Sequence, residues 1–212
     1  MTDDTQRRTH RVDLLSTILL ALAAIGTAWS TYQSTQWRGE QAVDTSMATA
    51  ARIQSSEAAT RAGQETQIDI ATFIQWVDAD VHGDEMLARF YRKRFRKEFR
   101  PAFAAWLATD PKTNAEAPLT PFVMPQYHIA SARKSERLNA LAGMHSKAAG
   151  EANQRADDDI LAVVLFATAL FFAGISTKVK SLRQREALLA MGWLIFLGTA
   201  IWLATLPTTV SI

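Results

Sequence analysis

Two aspartates, a histidine and a glycine, Asp78, Asp80, His82 and Gly83, stand at offsets one, three, five and six of a calcium-binding loop. The pattern fails where the chemistry needs it most. Position five is His82, a poor ligand for a hard cation, and position twelve is Arg89, where the ion needs a bidentate carboxylate. The segment reads instead as a helix–helix turn, with Gly83 supplying flexibility and Asp84 or Asp80 capping a helix start. A reaction centre here would need a pocket in which Asp78, Asp80, His82 or Glu85 converge. Ser131 and Lys134 have the Ser-x-x-Lys spacing of serine acyl-transfer enzymes, but none of the accompanying elements. His10, His82, His128 and His145 lack the short paired spacing of a zinc site, and there is no glycine-rich phosphate loop. With no cysteine there is no thiol nucleophile, thiolate metal site or disulfide. Asp157, Asp158 and Asp159 point in different directions on a helix, so they read as a solvated boundary rather than a cation site. No catalytic residue, metal or cofactor is expected, and the chain is not read as an enzyme.

The run from Arg89 to Arg100 is dense in both cations and rings. Tyr91, Phe95, Phe99 and Phe103 recur every four residues, with Trp106 three further on, which on a helix turns most of them toward a core. The interleaved Arg92, Arg94, Arg96 and Arg100 are the candidate contacts for an anionic partner, either lipid headgroups or an acidic protein surface. A formal net charge of +2 with interleaved acids does not point to nucleic acid.

These residues are carried between apolar ends. No Asp, Glu, Lys, Arg or His occurs between Asp13 and Arg38, between Asp159 and Lys178, or after Glu186. At about 1.5 Å per helical residue, roughly 20 residues cross a hydrocarbon core of about 30 Å, so three transmembrane helices are predicted at 14–32, 160–176 and 187–206. Arg7, Arg8 and Arg11 precede the first, and Lys178, Lys180, Arg183 and Arg185 lie in the link 177–186. Basic flanks face the cytoplasm, so the tail 1–13 and that link belong inside, and 33–159 and the tail 207–212 outside. Trp29, Tyr32 and Trp37 suit interfacial anchoring. The rival reading is a cleaved signal peptide, with Gly26-Thr27-Ala28 as a small-residue cleavage site. The spans hold no Asp, Glu, Lys, Arg or His to carry an ion, so a transporter acting alone is not expected, although an oligomeric pore stays open.

The middle shows helical patterning without strand alternation. An Ala-, Ser- and Thr-rich segment, 33–63, carries a thin stripe of Val43, Met47, Ala50 and Ala58. A second, 131–159, carries Leu138, Leu141, Ala148, Ala152 and Ala156. The two are predicted to pair as an antiparallel helical stalk, with about Thr60 opposite Ser131 and the pairing ending near Gly63; two separate surface helices are the alternative. Residues 64–130 form a helical cap, with helices at Glu65–Val77, Asp84–Arg100 and Pro101–Thr109. A proline-rich loop at 110–126 is held down by Phe122, Met124 and Tyr127.

Four segments, Ala59–Gln64, Tyr91–Pro111, Pro121–Tyr127 and Leu165–Gly174, give the chain a resemblance to a group of uncharacterised bacterial inner-membrane proteins with one N-terminal span, a helical extracytoplasmic middle and a C-terminal pair of spans. The resemblance implies no activity and no catalytic residues. The expected fold class is all-α: a three-span membrane protein with an antiparallel Ala-rich stalk and a small helical extramembrane cap. The expected role is non-enzymatic, in the bacterial inner membrane. Its partners would be the lipid bilayer and either further copies of itself or an envelope membrane protein, with no nucleic acid. The alternative is a subunit or regulator of an oligomeric channel or transport complex.

Overall fold

The computed structural model describes residues 2–207, with side chains from Gln6 onward. Among the described residues there are five α-helices: α1 Thr2–Val81, α2 Glu85–Arg94, α3 Arg100–Leu107, α4 Ala130–Ser176 and α5 Leu182–Ala204. No strand occurs among the described residues. α1, α4 and α5 are each long and apolar enough to cross a membrane. α1 begins well before the first predicted span and α5 five residues before the third. The predicted tail 207–212 lies, from 208 on, outside the described residues.

α1 runs to 80 residues because nothing in it breaks a helix. The first proline of the chain is Pro101, and Gly63 is absorbed within α1 rather than ending it. The stop is Gly83, at φ +74°. Gly83 N–H donates to Asp80 O at 3.3 Å and Asp84 N–H to Ala79 O at 2.9 Å, the paired closing bonds of a left-handed helix end. Asp84 then caps α2, its Oδ1 accepting from Leu87 N–H at 2.9 Å. α2 stops at Arg94, not at Arg100 as the sequence suggests, because Phe95 turns extended at φ −55°, ψ 138°. The turn that follows lets both Phe95 and Phe99 enter the core. Arg100 closes the end of α2 by donating from Nε to Phe95 O (2.9 Å) and from Nη2 to Lys93 O (3.0 Å).

The chain divides into two compact units, one of residues 1–46 and 145–212 and the other of residues 47–144. In the second, the buried face of α1 reads Ala48, Ala51, Ser55, Ala58, Ala62 and Asp69, a three–four spacing that keeps one seam on a neighbouring helix. α4 runs antiparallel to it: Ser55 Oγ reaches Ser135 O at 2.9 Å, and Ser131 Oγ reaches Glu65 Oε2 at 3.0 Å. The predicted stripe is displaced, since Val43 and Met47 are exposed and only Ala58 of its members lies in the seam. Further along, Phe73, Trp76, Phe95, Phe99, Phe103 and Trp106 form one core, with Val77, Ala88, Tyr91, Leu107, Phe122, Met124 and Tyr127 packed on it. Trp106 Nε1 donates to Pro118 O at 2.7 Å, which pins the proline-rich loop.

The first unit buries largely small residues, as the α1 seam of the second does, rather than a cluster of rings. Inside lie Ser16, Leu19, Ala23, Ser30, Ala162, Phe166, Ala169, Ala173 and Ser176; outside lie Leu14, Leu15, Ile18, Leu22, Ile25, Phe171, Leu194 and Ile201. Gly26 and Gly192 are required by close approach: a Cβ would stand 2.8 Å from Phe166 Cε2 and 2.9 Å from Leu19 Cδ2 respectively. Small residues within and large aliphatics without suit helices that pack against each other in lipid. Two expectations need correcting. Trp37 is not an interfacial anchor but is buried against Ala152 and Ala156, with the Arg155 guanidinium 4.6 Å above its ring. Asp159 is not solvated, because its position in the three–four repeat of α4 turns it into the seam.

Candidate functional site: a cationic groove beside a buried ion network

The four arginines singled out in the sequence have three different fates. Arg96 is structural. Its Nη1 lies 2.8 Å from Asp69 Oδ2, and its Nη2 lies 3.1 Å from Glu65 Oε2 and 3.5 Å from Glu98 Oε2. Asp69 is fully buried and also accepts from the Tyr127 hydroxyl at 3.2 Å. Burial holds the Asp69 carboxyl above the usual carboxylate range, against the opposing pull of Arg96 and Tyr127. Burial, with Asp69 as neighbour, pushes Tyr127 up to about 12, so the phenol keeps the proton it donates. Charge concentrated here ties α1, the turn after α2 and the segment leading into α4 together.

Arg94 stacks on Phe90, its guanidinium carbon 3.4 Å from the ring centroid, and faces solvent. Arg92 and Arg100 line an open concavity of about 510 Å³ together with Arg89, Lys93, Phe95, Phe103 and Ala104. Arg89 and Lys93 were not among the sequence candidates. Their signal was the i, i+3, i+4 spacing of 89, 92 and 93 on one helix face, which the aromatic period obscured. Three of these cations are held in place: Arg89 Nε donates to Glu85 O at 3.2 Å, Arg92 lies 5.9 Å from the Phe103 centroid, and Arg100 closes α2. Among the described residues, none of Arg89, Arg92, Lys93, Arg94 and Arg100 has a carboxylate at ion-pair distance. Such a groove can take up an anion.

The Asp78–Gly83 segment is a helix end in which His82 Nδ1 lies 3.4 Å from Asp78 Oδ1, while Asp80 is engaged elsewhere. His82 Nδ1 lies 2.8 Å from Asp78 O, and Asp80 pairs with Lys112 Nζ at 2.7 Å. Among the described residues no group of three His, Asp or Glu side chains is placed to hold a metal ion. Ser131 faces Glu65 rather than Lys134. Comparison with known proteins returns no matching family, no similar curated protein and no similar solved structure.

Proposed function

We propose that this chain is a non-enzymatic protein of the bacterial inner membrane whose helical body, 64–130, stands on the extracytoplasmic face and binds another envelope component. The tail 1–13 and the link 177–186 lie in the cytoplasm, in keeping with their arginines and lysines. The paired segments of α1 and α4 act as a two-stranded antiparallel coiled coil that carries the body.

One observation carries this reading. The body turns most of its rings, Phe90 excepted, inward and leaves Arg89, Arg92, Lys93, Arg94 and Arg100 facing outward without a carboxylate. Uncompensated like charges cost free energy within the chain, and an anionic partner removes that cost. A second copy placed by two-fold symmetry over this face would juxtapose like charges, so the partner at this face is a different molecule. Cross-linking in native membranes followed by copurification and mass spectrometry tests the proposal. Wild type is expected to retain an envelope component that Arg92→Glu with Arg94→Glu releases. A wild-type chain that purifies alone, or protease that cannot reach 64–130 in spheroplasts, would sink it.

A further inference from the structure

We infer that the groove lined by Arg89, Arg92, Lys93 and Arg100 is a binding site for a phosphate-bearing anion. The inference deepens the proposed role by naming what the body recognises. The lining supplies cations and no acid, and the remaining members, Phe95, Phe103 and Ala104, bring no hydrogen-bonding side chain. Every directional contact to a ligand therefore comes from a positively charged donor.

Geometry favours phosphate over a simple carboxylate. A guanidinium offers five N–H groups in a fixed fork that matches two oxygens of one phosphate. Arg89 uses its Nε on Glu85 O, and Arg100 uses Nε and one Nη2 hydrogen on backbone carbonyls. Both anchored guanidiniums keep their outer N–H groups, so little ordering remains to be done on binding. Three forks and an ammonium around one hollow offer more donors than a carboxylate's two oxygens can accept, whereas a phosphate or diphosphate presents three or more. The hollow of about 510 Å³ also admits a substituent on the phosphate. On the far side of Arg89 and Arg92 a smaller hollow of about 230 Å³ contains Asp80 and Glu85, neither at ion-pair distance from either arginine. Asp80 is already neutralised by Lys112, so the acids do not fill the cationic side.

Isothermal titration of the full chain, held in phosphatidylcholine nanodiscs, with pyrophosphate tests the inference. Binding is expected, and Arg89→Gln with Lys93→Gln should weaken it at least about tenfold through the loss of charge-assisted bonds. Lys97→Gln with Lys134→Gln removes the same charge at exposed positions outside the groove and should change affinity less than about threefold. Circular dichroism confirms that both variants keep their helices. No heat with pyrophosphate, equal weakening by the two double variants, or equal affinity for an acidic peptide of matching charge would each overturn the inference. Repeating the titration in phosphatidylglycerol nanodiscs separates the sources. Weaker pyrophosphate binding there supports the site with a lipid headgroup as occupant, and unchanged binding supports it with a soluble phosphate. Failure here while the copurified component persists overturns the phosphate site alone.

Discussion

The aromatic core of the second unit and the packed faces of the membrane-length helices in the first bury opposite kinds of residue. Around Phe73, Phe99 and Trp106 the core is made of rings, many meeting edge to face at 5–6 Å. Between α1, α4 and α5 the interior is largely Ala, Ser and Gly, and Leu, Ile and Phe face outward. In water, burying a large side chain yields about 1.5–3 kcal/mol, so large apolar residues go inside. In lipid that gain vanishes and close backbone approach is what remains, so the small ones go inside. The aromatic core follows the first rule and the membrane-length helices of the first unit the second, while the α1 seam of the second unit also buries Ala and Ser beside exposed Ile53, Ile68 and Ile74.

The contrast breaks most sharply in the aromatic core. Phe99→Ala, at a fully buried ring, should cost about 3–5 kcal/mol and unfold residues 73–127 at lower denaturant, while hydrogen exchange in α5 stays unchanged. Arg96→Gln leaves buried Asp69 without its cation and should cost about 3 kcal/mol, whereas Arg94→Gln should cost under about 0.5 kcal/mol by the same denaturation measurement. Gly192→Val, which sets a Cβ against Leu19 and Ala169 O, should cost about 1–3 kcal/mol in detergent and leave the aromatic core intact. Ser55→Ala, which removes the bond to Ser135 O, should cost about 1 kcal/mol.

A fifth test uses pH. Burial, aided by Asp158, pushes Asp159, just before the second membrane segment, up to about 6 from 3.8. A raised carboxyl pKa means that the folded chain binds the proton more tightly than the unfolded one. Its contribution is therefore greatest below about pH 4 and is lost as pH rises through 6. Asp159→Asn should raise the thermal midpoint above wild type at pH 7 and match it near pH 3.5. A variant equally stabilised at both values would contradict this assignment.

Much of the architecture was legible in residue order, and the seams were not. The membrane-length helices followed from uninterrupted apolar runs; Phe95, Phe99 and Phe103 are inside as expected, but the turn after Arg94 and not a continuous helical period brings the first two there. The ascending stripe was misplaced because alanine carries little hydrophobic contrast: Ala48 and Ala51 are buried and Ala50 is not, though nothing local distinguishes them. Arg96 looked like Arg92 and Arg94 for a similar reason. Its acids, Glu65 and Asp69, lie about thirty residues earlier in the chain, on another helix.

By itself, the order of residues determined the helical class, the three apolar segments, the Gly83 turn and the charge of the 89–100 run. Those depend on local periodicity, backbone freedom and composition. Only the tertiary structure decided which arginine is consumed by the core and which four cations share a groove. It also decided that Asp159 is buried and which alanines touch. Those outcomes depend on which faces meet across long sequence separations, and side-chain identity alone does not encode that choice.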